Sequence, residues 1–374
     1  MAISGKVYGK NEFSVGIKAK AATAFEDAAA VGTTYQLLPV VSVSPPALNL
    51  IESGEIRSNN AGMIETDGEQ FRSRKGGWVT MDFEVPAERD MIVRLLANVL
   101  QDHTESTASS ITTHTISATS AAPLARPALS SEASVLAAGI PSLFDIGLFG
   151  PAASEDYLIT SAVLQNLSMN FDMTDGRCML SGTFYSGFAS STGFKIGQNI
   201  TGNSAAPALM HTIPLPIESY FNTKQLDVNG SATDMTVVGV SFSFANNCSR
   251  VGRDSNGDAE AYAWGIPSVD ITGELSVMYD GNFKNAANNV LQDFLDGDTA
   301  TLTLQQGDGT VNALGEMNIV AEIYSTAVNQ DYSGDTGAVI TIPFKVVQPT
   351  TTGGVHSGTA FSFQYADNKA ASAW

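Results

Sequence analysis

Three short stretches of this chain recur in the same order in its second half, and this duplication constrains the fold more than any single residue does. The matching stretches are Val40–Ser44 with Val237–Ser241, Asn98–Asp102 with Asn289–Asp293, and Ser181–Thr183 with Ser357–Thr359. Because the order is kept while the spacing shortens, we expect the two members of each match to lie in the same structural setting. A repeat of this size indicates one β unit used twice in a single chain.

The composition favours an all-β protein with extensive contact surfaces. Charged residues make up only 15% of the 374 residues, and the chain contains 34 glycines. Low charge combined with many turn-forming residues is typical of β proteins rather than of helical bundles. A surface with so few charges must consist of neutral polar side chains or of interfaces with other molecules.

The charges that the chain does carry are mostly acidic. It has 19 Lys and Arg residues against 38 Asp and Glu residues, and its formal net charge is −19. Tight nucleic-acid binding depends on cations that neutralise phosphates, so this balance argues against it. The balance does not argue against DNA that passes close to the protein.

Each half contains a strand that is followed by a helix. Apolar and polar residues alternate from Val79 to Val85, which predicts a half-buried strand. Pro86 follows, and apolar residues at helical spacing from Ile92 to Val99 predict a helix. The second half repeats the alternation from Val269 to Tyr279 and then predicts a second helix. Its apolar side and its end are assigned to Ala287, Leu291, Phe294 and Gly297.

These patterns divide the chain into two β domains with flanking segments. We predict an N-terminal arm over residues 1–34, a first domain over 35–190, a linker or loop over 191–234, a second domain over 235–366 and a tail over 367–374. Further strands are predicted at 163–171, 177–186, 237–244, 300–305, 317–325, 338–347 and 359–366. Residues 103–140 and 189–210 are rich in Ser, Thr, Ala and Gly, which predicts long surface loops.

No motif points to catalysis, to a cofactor or to a metal. The sequence contains no phosphate-binding glycine loop and no Gly-x-Ser-x-Gly nucleophile motif. The four histidines are scattered, and the acidic stretch at 254–258 is not followed by the glycine and glutamate that a calcium loop needs. We therefore predict a protein that is not an enzyme and has no catalytic, cofactor-binding or metal-binding residues.

The sequence also suggests where the chain folds. Cys178 and Cys248 are too few for a disulfide framework, and we interpret them as buried free thiols. No apolar stretch follows Lys6 and Lys10, so no signal peptide is predicted. No apolar run approaches the length of a membrane-spanning helix. We expect synthesis and folding in a cytoplasm, without membrane contact.

Seven segments carry a resemblance to a known family: Leu38–Val40, Ile51–Arg57, Gly76–Val79, Thr113–Thr115, Ser181–Thr183, Val237–Phe244 and Ile271–Leu275. Together they resemble tail tube proteins, the major tail proteins of long, non-contractile, siphovirus-type phage tails. In that family an extended strand and a mobile loop precede a glycine-flanked strand and a helix. The resemblance covers most of residues 35–366, whereas the insertion around 104–140 and the tail 367–374 have no counterpart.

The resemblance implies two tandem β-sandwich tail-tube domains, each with one flanking α-helix, whose inner strands join between subunits into a barrel. Rings of three copies with pseudo-sixfold symmetry, or of six copies, would stack into a tube for DNA ejection. The implied partners are further copies of the chain and the tape measure, tail terminator and distal tail proteins. The implied location is the virion tail, where an acidic bore would repel DNA and keep it from sticking.

We expect the segment between residues 53 and 75 to make the contacts between stacked rings. The candidate contact residues are Ser53, Gly54, Glu55, Ile56, Arg57, Arg72, Arg74 and Lys75. The alternative for this segment is an ordinary solvated hairpin loop with a few cations.

The sequence is also compatible with two other classes of function. One is a secreted or surface-layer β protein, such as an adhesin or a pilin, which the missing signal peptide disfavours. The other is a different virion component, such as a capsid decoration or tail-terminator protein, which need not contain tandem domains. An enzyme ranks last because no residues converge on a chemistry.

Overall fold

The computed structural model describes most of the chain in separate stretches. The described residues are 14–19, 35–55, 70–108, 110–119, 144–150, 156–174, 176–186, 194–196, 217–228, 231–251, 263–265, 268–279, 284–285, 288–307, 314–325, 327–331, 338–348 and 358–367.

The chain is mainly β, and its described part contains two helices. The strands of the first half are β1 (Ser14–Ala19), β2 (Gln36–Leu38), β3 (Ser42–Val43), β4 (Ala47–Glu55), β5 (Gln70–Pro86), β6 (Thr104–Ala108), β7 (Ile111–Thr119), β8 (Phe144–Phe149), β9 (Tyr157–Asp172), β10 (Arg177–Ser186) and β11 (Phe194–Ile196), with helix α1 (Arg89–Leu100) between β5 and β6. The second half comprises β12 (Thr223–Val228), β13 (Ser231–Asp234), β14 (Val237–Ala245), β15 (Ser249–Val251), β16 (Ala263–Gly265), β17 (Asp270–Met278), β18 (Lys284–Asn285), β19 (Asn288–Asn289), helix α2 (Val290–Asp296), β20 (Thr299–Gln306), β21 (Met317–Ser325), β22 (Asn329–Asp331), β23 (Val339–Val346) and β24 (Thr359–Asp367).

The strands and helices predicted from hydrophobic periodicity are confirmed. The seven further predicted strands correspond to β9, β10, β14, β20, β21, β23 and β24, and the two strands that precede helices are β5 and β17. Helix α1 follows Pro86, and all of its residues from Met91 to Leu100 are buried. Helix α2 ends before Gly297, whose φ of 89° is the left-handed conformation that glycine adopts easily. Ala287, assigned to this second helix, lies outside the described residues.

One antiparallel sheet, which we call the central sheet, runs through both halves. Its eight strand positions in order are β3 with β4, then β5, β10, β9, β14, β17, β23, and finally the end of β21 with β22. The junction between the halves is the pairing of β9 with β14. Two strands of the central sheet also pair with strands outside it. The first part of β9 pairs with β8 and β11, and β21 pairs with β20 and β24.

The hydrophobic core is shared between the halves rather than divided. A single cluster of buried side chains extends from Val15 to Tyr365, and helix α1 packs against β9 and β7 within it. The two predicted domains therefore do not have separate cores among the described residues. The division into two domains remains a hypothesis, and the repetition of strands is the observation that supports it.

Part of the predicted arm and part of the predicted linker belong to the core. Strand β1 lies within the arm at 1–34, pairs with β2 and β8, and buries Val15 and Ile17. Its Lys18 is the register partner of Asp145, and both are buried. Within the linker at 191–234, β12 pairs with β20 and Phe221 is fully buried. The sequence did not predict these short strands because strands between glycine-rich stretches have little periodicity of their own.

The prediction of a loop over 103–140 was also wrong for its first part. Strands β6 and β7 form a hairpin there, and β7 pairs with the C-terminal β24. Their side chains are mostly threonine and serine, so apolar alternation is absent although threonine favours strands. In the predicted loop at 189–210, β11 pairs with β9.

Only one of the three sequence matches occupies equivalent places. Ser42–Val43 and Val237–Ser241 both pair with the strand that leads into a helix. In contrast, Asn98 lies near the end of α1 whereas Asn289 immediately precedes α2. Gly182 lies in the middle of β10 whereas Gly358 precedes β24. The expectation of equal settings is therefore wrong for the second and third matches.

The duplication is instead visible in the register of the central sheet. In the first half, Val43 pairs with Phe83, and Phe83 pairs with Gly182. In the second half, Val240 pairs with Leu275, and Leu275 pairs with Ile342. Thus three adjacent strands of each half share one register.

The fourth strand repeats as well, including its irregularity. In the first half the pairs are Ser181 with Ser168 and Phe184 with Leu164, so β9 has one more residue than β10 between them. In the second half the pairs are Thr341 with Asn329 and Phe344 with Ser325, with the same extra residue. The extra residue falls in the same register interval of both halves, which indicates that β9–β10 and β21/β22–β23 are arranged alike.

Asparagine side chains satisfy the backbone at the first bulge. Asn98 of α1 accepts a hydrogen bond from the Leu164 amide at 2.7 Å, and Asn246 donates to the Leu164 carbonyl at 2.6 Å. The Cys248 amide donates to the Asn246 side chain at 2.9 Å. All of these groups are buried, where an unsatisfied polar group costs about 1–3 kcal/mol. The two asparagines therefore make the bulge compatible with the core.

We predict that Gly273→Ala strongly destabilises the protein whereas Gly239→Ala is tolerated. A Cβ at Gly273 would lie 2.3 Å from Cζ of Phe344 and 2.3 Å from the Ser241 carbonyl oxygen, so backbone and ring must shift. A Cβ at Gly239 meets only the Phe171 carbonyl oxygen, at an ordinary 3.6 Å. Overpacking of this kind costs about 1–3 kcal/mol. Thermal unfolding of both variants measures the difference, and equal unfolding midpoints would contradict this packing.

Candidate functional site

The outward face of the central sheet is a continuous polar surface, which we call the polar face. One row of register partners crosses seven strands and consists of Ser42, Glu84, Ser181, Ser168, Ser243, Thr272 and Lys345. The alternate residues point into the core, as the alternating burial of β10, β14 and β23 demonstrates. Small hydroxyl side chains thus occupy five of the seven positions in this row.

Carboxylates outnumber cations on the polar face. The described acidic residues that share its register rows are Asp82, Glu84, Asp172, Asp270 and Glu274, and the described basic residues are Arg177 and Lys345. Thr183 donates a hydrogen bond to Asp82 at 2.7 Å, and Ser42 donates to Glu84 at 3.2 Å. The face is therefore hydroxyl-rich and acidic.

Two of these carboxylates occupy repeated positions. The Ser44 amide donates to the Asp82 carbonyl oxygen at 2.9 Å, and Ser241 is the register partner of Glu274. In each half, the residue after the acidic one is a core residue, Phe83 or Leu275, on the strand that leads into a helix. The duplication therefore places acidic charge at the same position in both halves.

The predicted inter-ring residues lie on a two-stranded ribbon. Strand β4 pairs with β5 from Ala47 to Glu55, whereas the β10 pairing of β5 covers only Val79–Pro86. Between Gln70 and Trp78, β4 is the single partner of β5 among the described strands. We call this part, residues 49–55 with 70–78, the ribbon.

The ribbon brings the predicted residues of both its strands together. Ser53, Gly54 and Glu55 lie at the end of β4, and Arg72, Arg74 and Lys75 lie on β5. Glu52 is the register partner of Arg72, and Glu55 is the partner of Gln70. Ile56 and Arg57, the other predicted contact residues, lie outside the described residues.

Both lateral ends of the central sheet have an unpaired side within the described chain. At one end the segment 40–46 and β4 pair with β5 only, and Val41 is 58% exposed. At the other end β22 pairs with β23 only, next to Tyr324, which is 40% exposed. Unpaired strand edges are templates for pairing with another chain. The sequence pattern did not reveal these ends because pairing partners are set by the tertiary fold.

The described residues contain no group of three or more His, Cys, Asp and Glu side chains placed to hold a metal. Within the same residues, no helix is long and apolar enough to cross a membrane. Cys178 and Cys248 are free and buried, and burial raises the pKa of the Cys248 thiol to about 12 and that of Cys178 further. Both thiols therefore stay protonated and unreactive at neutral pH.

Two histidines that are distant from the central sheet form a close pair. Nε2 of His103 lies 3.1 Å from Nδ1 of His114, and the two rings stack. His114 is buried between Glu105 of β6 and Tyr365 of β24, which are its register partners. Burial lowers the pKa of His103, His114 lowers it further, and Glu105 and Asp102 raise it to a smaller extent.

Comparison with known proteins supplies no identification. The chain matches no family of known proteins, and no curated protein matches it significantly.

We predict that acidification destabilises the protein through His103. Because the pKa of His103 is lower in the fold than the 6.5 of an unperturbed histidine, unfolding takes up a proton below that pH. The stabilising effect of neutral His103 is complete above about pH 6.5 and is lost as the pH falls through its lowered pKa. Urea unfolding between about pH 7.5 and pH 5 measures the slope.

The control for this prediction is His103→Gln, which keeps a hydrogen-bonding side chain and does not titrate. Its free energy of unfolding should fall less steeply with acidification than that of the unchanged protein. Parallel curves for the two proteins would show that His103 does not contribute.

Proposed function

We propose that this protein is the structural subunit of a phage tail tube, which assembles as stacked rings around a channel for DNA ejection. The observation that carries the proposal is the central sheet, in which one four-strand unit occurs twice in the same register and presents one polar face. Since its two end strands have an outer side without a partner among the described strands, this sheet can close into a barrel by pairing with further copies. On this proposal the protein is not an enzyme and works through self-association.

The duplication suggests the symmetry of the ring. Each chain supplies two similar units, joined at the β9–β14 junction. Three copies would then form a ring of six units with pseudo-sixfold symmetry, and six copies would form a larger ring. We favour three copies, in which the two halves are the tandem tail-tube domains of the proposal. Each ring would carry several times the chain's formal charge of −19.

The polar face is proposed to line the channel. DNA carries one negative charge per ~1.7 Å of its axis, so cations on the wall would bind it and slow its passage. The described face has five carboxylates against two cations, with hydroxyl groups between them. Such a wall repels phosphates and offers few positions where DNA could stay bound. DNA would therefore pass without specific binding.

The ribbon is proposed to contact the next ring. It extends beyond the part of β5 that pairs with β10, and it carries Arg72, Arg74 and Lys75 in a chain that is otherwise poor in cations. Cations on one ring could bind the acidic surface of the next. The tape measure, tail terminator and distal tail proteins are the other proposed partners, and the virion tail is the proposed location.

Negative-stain electron microscopy of the purified protein tests the proposal. We expect long hollow tubes of uniform width, either on purification or after concentration. Discrete particles of another shape, or monomers at every concentration, would contradict a tail tube and favour a decoration protein or an adhesin.

The role of the ribbon is tested by the triple variant Arg72→Glu, Arg74→Glu and Lys75→Glu. We expect rings that no longer stack into tubes, because the contact between rings loses its attraction and gains repulsion. The matched control is Arg72→Lys, Arg74→Lys and Lys75→Arg, which keeps every charge and should still form tubes. Tubes in both variants, seen by the same microscopy, would exclude a charge-based ring contact at the ribbon.

A further inference from the structure

We infer that neighbouring copies join head to tail by pairing the segment 40–46 of one chain with the outer side of β22 of the next, in the register of the internal β9–β14 junction. The inference rests on the proposed ring and specifies which two edges close it. It follows from the duplication. One side of each four-strand unit is formed by equivalent strands, the segment 40–46 or β14, and the other side by equivalent strands, β9 or β21 with β22.

The internal junction shows how two such units join. Strand β14 pairs with the second half of β9, and Ser241 lies opposite Asn170. The Met173 amide donates to the Val238 carbonyl oxygen at 3.1 Å. Since hydrogen-bonded and non-hydrogen-bonded pairs alternate, Ser241 and Asn170 form a non-hydrogen-bonded pair, in which the two Cα atoms are closest.

The segment 40–46 is the counterpart of the first part of β14. Val43 pairs with Phe83, and Val240 pairs with the equivalent residue Leu275. One residue further along, the Ser44 amide donates to the Asp82 carbonyl oxygen at 2.9 Å, so Ser44 bonds inward. Ser241 likewise pairs inward with Glu274. Ser44 therefore corresponds to Ser241, but no described strand lies on its outer side.

Strand β22 is the counterpart of the second half of β9. Strand β9 pairs with β8 and then with β14 along one side. The strands β21 and β22 pair with β20 along the corresponding side as far as Tyr324, and no described strand follows at β22. Since Asn329 corresponds to Ser168, Asp331 corresponds to Asn170. The register of the internal junction thus places Ser44 of one copy opposite Asp331 of the next.

The two edges favour pairing between copies of this chain over pairing with unrelated chains. Pro45 and Pro46 together take the place of Phe242, because the pairing with β5 shifts by one residue before Ala47. Neither proline has an N–H, so the junction has one backbone hydrogen bond fewer than its internal template. Proline on an edge strand also limits pairing with unrelated chains. Because the two edges differ, the contact is heterologous and continues from copy to copy until a ring closes.

The experiment is a cysteine cross-link with an internal control. The variant Ser44→Cys with Asp331→Cys, treated with a mild oxidant after assembly, should give covalent dimers and higher multimers on a non-reducing denaturing gel. The largest closed product would count the copies in a ring, and we expect three. Non-hydrogen-bonded antiparallel pairs have the short Cα separation that a disulfide needs. Native Cys178 and Cys248 are buried and should not react.

Three control variants distinguish this junction from chance cross-linking. Ser241→Cys with Asn170→Cys is the equivalent internal pair and should form a disulfide within one chain, without multimers. Ser44→Cys alone and Asp331→Cys alone should remain monomeric on the gel. A second pair, Ala47→Cys with Asn329→Cys, repeats the test at the position equivalent to Ser243 and Ser168, in case the first variant does not fold. Ala47 is the equivalent residue because it pairs with Thr80 as Ser243 pairs with Thr272.

The outcomes separate this inference from the proposed function. Tubes by microscopy without cross-links in either double variant would overturn the junction and leave the tail tube standing. A cross-linked ladder without tubes would support the junction and count against the tail tube. Multimers from a single-cysteine variant would overturn the register, because this pairing brings two different positions together.

Discussion

The structure depends on backbone hydrogen bonding across the junction between β9 and β14. Without this pairing, each half would expose one long strand edge, and the buried faces of the two halves would not form one surface. With it, the sheet continues through the chain and one core extends from Val15 to Tyr365. The two halves are therefore repeats in register that share one core among the described residues. The same need for a partner remains at the two outer ends, where no described strand satisfies it.

The bend in β9 and in β21/β22 lets each strand serve two sets of neighbours. One extra residue lies in the same register interval of both halves. On one side of it the strand also pairs with strands outside the central sheet, and on the other side it pairs with strands of the central sheet. In the first half the polar groups freed by this change are bonded to Asn98 and Asn246. A buried bulge needs such partners because water cannot reach it. The helix α1 is thus fixed to the sheet by a hydrogen bond as well as by apolar packing.

Much of the fold could be predicted from the sequence, and the failures have one physical cause. Strands such as β10 and β21 have clean apolar alternation, and both were predicted with their observed bounds. Strands β6 and β7 were missed because threonine and serine dominate them, and they are held in the sheet by the pairing of β6 with β7 and of β7 with β24. The matches at Asn98 and Ser181 were misleading because short identical sequences can lie at different ends of a helix or strand.

The sequence alone determined the strands with clear apolar alternation, the two helices and the faces of these elements. Period-two alternation decides which side of each strand is buried, so Asp82 and Glu274 were already on the polar side. It also determined the low and acidic charge. Only the tertiary structure decided that these two faces belong to one surface, that Arg72 and Glu52 are register partners on a ribbon, and which edges have no described partner. The reason is that strand pairing joins residues distant in sequence, and no local pattern specifies the partner.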